Sequence, residues 1–289
     1  MPVIENESLQ VTIDPKGAEL KRIYHKGTKL DYLWNADPAY WAKSSPVLFP
    51  IVGTLKSNTL FYEGKGYEMG RHGFAREKEF LVEKEEESSI VFLLLPDSDT
   101  LKKFPFEFEF RIHYALEGSS LSVTYDVRNP GAEWLWFSVG GHPAFKVPLT
   151  ESEVYNDYYL EFDKSENEGR WLISADGLIE DHSTPLLENT NRLPLVHELF
   201  YRDAVVLKNL QSTSIQLKST RSDHGLKFDF PGFPFLGIWA AKDANFVCIE
   251  PWCGIADSVN SNQQLTDKEG IIQLEAGGQF ERTWTAGFF

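Results

Sequence analysis

The sequence predicts an all-β protein, a large twisted antiparallel sandwich, and three observations carry that reading. First, Phe106, Phe108, Phe110, Ile112, Tyr114 and Leu116 alternate with Glu107, Glu109, Arg111, His113 and Ala115. Glu117-Gly118-Ser119-Ser120 then turns the chain, and Leu121, Val123, Tyr125 and Val127 alternate back. Period-two alternation on both sides of a turn is the mark of a long hairpin with one wet face. Second, turn signals recur at short intervals and no segment keeps a helical period for more than a few turns. Third, aromatic residues make up 14% of the chain, which favours strands.

The other elements follow in order. Leu9, Val11 and Ile13 alternate with polar residues, Asp14-Pro15-Lys16-Gly17 turns, and Ala18, Leu20 and Ile23 resume, which predicts an opening meander. Ala39 to Lys43 has room only for a helical turn. Ser45 to Gly53 is apolar but holds Pro46 and Pro50, so it reads as a buried loop or an edge rather than a central strand. Tyr62 to Tyr67 reads as a hairpin turn, and Ile90 to Leu95 as a buried strand. Trp134 to Val139 leads into Gly140-Gly141-His142-Pro143. Residues 151–200 are polar and irregular and read as loops and short strands. Asp203 precedes the apolar run Ala204 to Leu207. Leu236 to Ala240 follows a rigid Pro-Gly turn, and Phe246 to Ile249 is a buried strand that ends in Glu250 and a Pro-Trp-Cys-Gly turn. No repeat and no Pro/Ser-rich linker divides the 289 residues, so a single domain over 1–289 is expected.

Composition narrows the partners. A net charge of −15 repels nucleic acid and anionic membrane, so neither is an expected partner. No stretch is apolar enough to span a bilayer, and no signal peptide is visible at Met1 to Glu7, so a cytoplasmic protein is expected, as a monomer or homodimer. Two cysteines, Cys248 and Cys253, without further Cys/His spacing make no zinc site. H-x-x-x-H and H-x-D/E spacings are absent too, so no metal is expected. Neither G-x-S-x-G nor a glycine-rich phosphate loop occurs.

Four residues at strand ends or in glycine loops stand out: His72, His142, Asp203 and Glu250. A strand that delivers one carboxylate into an aromatic turn can hold a general base rigidly. Gly141 and Pro143 fix His142 tightly, whereas His72 and Asp203 also suit structural roles in a loop and at a strand start. The remaining histidines sit in polar surroundings and read as solvated. Trp252 and Trp239 read more readily as core than as a ligand platform.

Arg71-His72-Gly73-Phe74-Ala75-Arg76, Gly141-His142-Pro143-Ala144-Phe145, Asp203 and Ile249-Glu250-Pro251-Trp252-Cys253-Gly254-Ile255-Ala256-Asp257-Ser258 together resemble the aldose 1-epimerase (galactose mutarotase) superfamily. The resemblance runs in order over nearly the whole chain and is strongest to its LacX-type branch. It implies a galactose mutarotase-like supersandwich that interconverts the α and β anomers of an aldohexose. It also implies Glu250 as general base, His142 as general acid, and His72 and Asp203 as partners of sugar hydroxyls. The Asn-Arg pair of simpler members is replaced by Gly53-Thr54-Leu55-Lys56-Ser57-Asn58, so Lys56 stands in for the arginine. Lys56, Arg71 and Arg76 also suit a hexose 6-phosphate, and Trp252 a sugar face. No cofactor is needed, because anomerisation involves neither redox change nor carbanion. The reading needs His142 protonated near neutral pH, with Glu250 or Asp203 raising its pKa. A carbohydrate-binding or sensing protein without turnover is the alternative from another class.

Overall fold

The computed structural model describes residues 1–289. Its first sheet is the meander: Val3–Glu5, Leu9–Asp14, Glu19–His25 and Leu30–Asp31 pair in that order. Leu9, Val11 and Ile13 are buried and the residues between them are half-buried, as a strand with one covered face requires.

A sheet of fifteen strands supplies most of the frame, with Val47–Leu48 at one end and Leu81–Glu85 at the other. The alternating hairpin lies within it. Glu109–Glu117 pairs with Ser120–Arg128, in register from Glu109 opposite Arg128 to Glu117 opposite Ser120. Phe110, Ile112, Tyr114 and Leu116 point into the core, and Phe49 stacks on Phe110 at 4.4 Å between ring centroids. Phe106 and Phe108 precede the strand but stay buried beside Phe104. The layers close as an all-β sandwich on a continuous cluster of 71 buried residues. Helix is limited to Thr100–Lys103 and short 3-10 turns, and no helix is long and apolar enough to cross a membrane. Prolines 46 and 50 flank the edge strand Val47–Leu48, where a missing ladder donor costs least.

Residues 151–200 depart from the sequence reading. Tyr158–Ile173 and Ile179–Pro194 form a hairpin of two sixteen-residue strands. Its register shifts between Glu161 and Glu166, twice more by Gly169, and again between Trp171 and Ile173. Each shift resets which side chains face inward, so no sustained alternation survives in the sequence. Glu166 and Glu168 are buried as a result. They accept backbone N–H groups, Glu166 from Ser212 at 2.7 Å and Glu168 from Lys208 at 3.1 Å. Nor is His197 simply solvated: it is half-buried and stacks on Tyr155 at 3.9 Å.

A smaller apolar cluster, including Leu48, Val52, Val206, Trp252 and Ala256, lies apart from the main core. It forms where the Phe246–Cys253 strand meets the strands on either side.

Candidate active site

Phe246–Cys253 is buried along its whole length. One neighbour is Phe235–Trp239, which places Gly237 opposite Glu250. The other side is covered by two short strands, Val139–Gly141 and Ala144–Lys146, which pair Gly140 with Trp252 and Ala144 with Cys248. The same register continued across the break sets His142 directly opposite Glu250. Period two puts Cys248, Glu250 and Trp252 on one face of the strand. Gly237 makes room there, since a Cβ at that position would lie 2.5 Å from the Trp252 ring.

Glu250 and Trp252 of that face line the floor of a cavity of about 500 Å3, within the ~300–1,000 Å3 typical of ligand clefts. His72, His142, Asp203, Glu250, Arg71, Arg76 and Trp252 all line it. Lys56 does not. Its ammonium donates instead to the carbonyls of Val259 at 2.8 Å and Ser261 at 3.2 Å, which draw the side chain away from the cavity.

Each lining group has a structural cause. The loop around Arg71 to Phe74 docks on the Phe49 to Gly53 segment through His72 N–H to the Gly53 carbonyl and Phe74 N–H to the Phe49 carbonyl. His72 adopts φ 68° and Gly73 φ 73°, and a Cβ on Gly73 would lie 2.3 Å from the Phe49 carbonyl oxygen. The Gly53 N–H donates to His72 Nδ1 at 3.1 Å. Burial, then His142 and the two arginines, hold the His72 pKa well below its ordinary value. The ring is therefore neutral and carries its proton on Nε2, a donor for the cavity. Arg76 donates to the Arg71 carbonyl at 2.8 Å, and the Arg71 guanidinium lies 3.7 Å from Asp203 Oδ1.

His142 Nε2 stands 3.1 Å from Glu250 Oε2. The angles are poor for a hydrogen bond, and Glu250 Oε2 and His142 Nδ1 are buried without partners. Trp41 and Trp239 wall the imidazole, with ring centroids at 5.0 and 5.7 Å. Burial dominates both groups. It pushes the Glu250 carboxyl well up, against the opposing pull of Arg71 and the Trp252 indole, and it pushes His142 down to about 3. The expectation that a neighbouring carboxylate raises His142 is thus overturned: taking two ions out of water costs more here than their attraction returns. Both shifts favour the uncharged forms, a carboxylic acid facing an imidazole.

Three contributors escaped the sequence reading. Trp41 lies in the short segment at 39–43, Arg202 carries no motif of its own beside Asp203, and Cys248 has no Cys/His spacing that marks a ligand. All depend on long-range placement that no local pattern encodes. Trp41 and Arg202 line the cavity, and the Cys248 donor atom lies within 4.8 Å of donors on both His142 and Glu250.

Comparison with known proteins bears on the fold and the family. The sequence model described as aldose 1-epimerase matches residues 3–271. The chromosomal and plasmid LacX proteins of Lactococcus lactis subsp. lactis are each 36% identical over 280 residues, 94% of this chain and 93% of theirs. A galactose mutarotase related enzyme from Lactobacillus acidophilus superposes with a TM-score of 0.93 at 34% identity, over 100% of this chain and 97% of that one. A galactose mutarotase-like protein from Lactobacillus casei ATCC 334 gives 0.94 at 31% identity, with both chains covered completely. With the sequence match spanning nearly every element that builds the cavity, the chain belongs to the aldose 1-epimerase family, a family of carbohydrate epimerases.

Proposed function

We propose that the cavity binds an aldohexose pyranose and that Glu250 and His142 interconvert its α and β anomers. The observation that carries this is the carboxyl–imidazole pair, 3.1 Å apart on the floor of an aromatic-walled cavity. Ring opening removes the proton from O1–H and adds one to ring O5. The neutral pair converts to carboxylate and imidazolium by passing its single proton from Glu250 to His142. Glu250 then takes the O1 proton while His142 protonates O5, the C1–O5 bond breaks, and the pair is neutral again. Rotation about C1–C2 and the same transfers in reverse close the other anomer. The proton count of the pair never changes, so water need not enter. His72 Nε2–H and Arg71 donate to sugar oxygens, Asp203 accepts from a hydroxyl, and the Trp252 ring packs on a C–H face. Polarimetry on fresh α-glucose and α-galactose tests this. Rates equal to buffer on every aldose tried remove the reading.

The proton inventory predicts the pH profile. His142 gains a second proton for the pair only near pH 3, and Glu250 loses the last one only well above 4.5. After subtraction of the buffer rate, kcat/KM is expected to show no acid limb at 6.5, the ordinary imidazole value. A limb there means that His142 titrates as a free histidine and the shared-proton scheme is wrong.

Arg170 is expected to act from outside the cavity. Its guanidinium donates to the carbonyls of Leu199 at 2.8 Å, Asp203 at 2.7 Å and Ala204 at 3.2 Å. It thereby clamps Asp203 at φ 147°, a conformation costly for any residue with a Cβ. Arg170→Ala should raise KM by roughly tenfold with a smaller change in kcat, and Arg170→Lys should not rescue it, because one ammonium cannot span the three carbonyls. An unchanged KM for Arg170→Ala contradicts the assignment.

A second reading, a hexose 6-phosphate substrate, is favoured by one observation: Arg71, Arg76 and Arg202 all line the cavity of a chain whose net charge is −15. Guanidinium pairing with phosphate should then raise kcat/KM for the phosphorylated sugar by about tenfold or more. Equal values for glucose and glucose 6-phosphate reject it.

A further inference from the structure

We propose that His142, Cys248 and Glu250 form a site for a thiophilic divalent cation of the zinc and cadmium class, entered through the sugar cavity. The strand geometry assembles it. Cys248 and Glu250 project from one face two residues apart, and His142 faces them from the adjoining break between short strands. One nitrogen, one sulfur and one oxygen donor lie within 4.8 Å of one another. Metal–ligand bonds of ~2.0–2.3 Å in a tetrahedron set donors about 3.5 Å apart, so side-chain shifts of roughly 1 Å or less bring the three into range.

The donors are also unusually available. Relative exposures are 8% for His142, 0% for Cys248 and 1% for Glu250. Buried polar atoms almost always have partners, yet Glu250 Oε2, 3.1 Å from His142 Nε2, has none. A cation held between them would satisfy it. Mixed nitrogen, oxygen and sulfur ligation suits zinc or cadmium and disfavours magnesium or calcium. Two protons leave on binding, one from the Cys248 thiol and one from the Glu250 carboxyl, and pass to water through the cavity. Thiolate and carboxylate then balance the dication, which makes the complex neutral and suited to a buried position. Three protein ligands leave a fourth position for water.

Occupation removes both members of the acid–base pair from use, so the cation is an inhibitor that competes with sugar. This clause rests on the proposed mutarotase reading, whereas binding itself does not. Cys253 cannot contribute: it directly follows Trp252, so it projects from the opposite face of the strand, and it does not join the donor group.

The test is titration of the protein with Cd2+, read by the ultraviolet cadmium–thiolate charge-transfer absorption. Wild type should show a saturable band at one equivalent, Cys253→Ser should keep it, and Cys248→Ser should lose it. Glu250→Gln, which leaves the thiol intact, should weaken Cd2+ binding at least tenfold. A saturating hexose that binds the cavity should lower the apparent Cd2+ affinity. Absence of the band in wild type, its persistence in Cys248→Ser, or unchanged affinity in Glu250→Gln each overturns the site. Should Cd2+ bind as described while no aldose is turned over, the site stands and only the mutarotase reading fails.

Discussion

Glu250→Gln is expected to lower kcat/KM by about 10²–10⁴-fold while leaving sugar affinity within a few-fold of wild type. Glutamine keeps the volume and can still hydrogen-bond a hydroxyl, but it can neither take nor return a proton. His142→Gln should lose a similar factor. The double variant should fall little below the worse single, because in the proposed scheme both residues handle one proton and neither works without the other. Stability should move the opposite way. Glu250 has a folded pKa raised well above 4.5, so the native state holds its proton more tightly than the unfolded chain. That contribution is fully present below the unfolded value and is lost as pH rises toward the folded one. At neutral pH the wild type carries this cost and Glu250→Gln does not. The variant should therefore melt at a higher temperature, by a margin that grows from pH 5 to pH 7 (roughly the interval in which an ordinary carboxyl finishes ionising). An inactive but more stable variant is the signature expected of a strained catalytic carboxyl. Polarimetry and thermal melts check the two halves separately. Activity within tenfold of wild type would remove Glu250 from the mechanism.

Some of this was open to a reader of the sequence and some was not, for identifiable reasons. The hairpin at 109–128 was legible because the apolar residues keep period two through both nine-residue strands of one in-register ladder, and one covered face enforces it. The hairpin at 158–194 was not, because its register shifts move the inward set and put Glu166 and Glu168 inside. The candidate residues drew attention through their settings: glycine beside His72 and His142, and a strand end at Glu250. That His142 faces Glu250 depends on how two short strands share one long neighbour, which is a property of the ladder and not of either segment. Lys56 shows the converse. Its motif position suggested the cavity, but the Val259 to Ser261 carbonyls claim its ammonium. The charge state of His142 was misread because proximity to a carboxylate is visible in a proposed site, while the burial that outweighs it becomes visible only once Trp41 and Trp239 are in place.

The rim of the cavity rests on an ion pair, and Lys268→Met is expected to cost about 3–5 kcal/mol of stability. Lys268 Nζ donates to Asp257 Oδ1 at 2.7 Å, and both side chains are 3% exposed. Asp257 also accepts the Lys56 N–H at 2.9 Å through Oδ2, its own N–H donates to the Thr54 carbonyl, and its carbonyl accepts from Ile179 N–H. One residue thus ties three segments together beside Ala256, whose Cβ would lie 2.4 Å from any Cβ added at Gly53. Methionine fills the space of the lysine stem but leaves Asp257 ionised and buried, short of its cation. The penalty is that uncompensated charge, more than the value of the pair itself. Lys268→Met combined with Asp257→Asn removes the charge and keeps an oxygen for the Lys56 N–H, so the double variant should recover most of the loss. Urea midpoints at unchanged m-value measure both. A single variant that loses less than about 1 kcal/mol, or a double variant no better than the single, would show that the pair does not hold the rim. Because Ala256 and Gly53 both line the cavity, the single variant should also bind sugar more weakly than the double, which couples the stability of this corner to the site it supports.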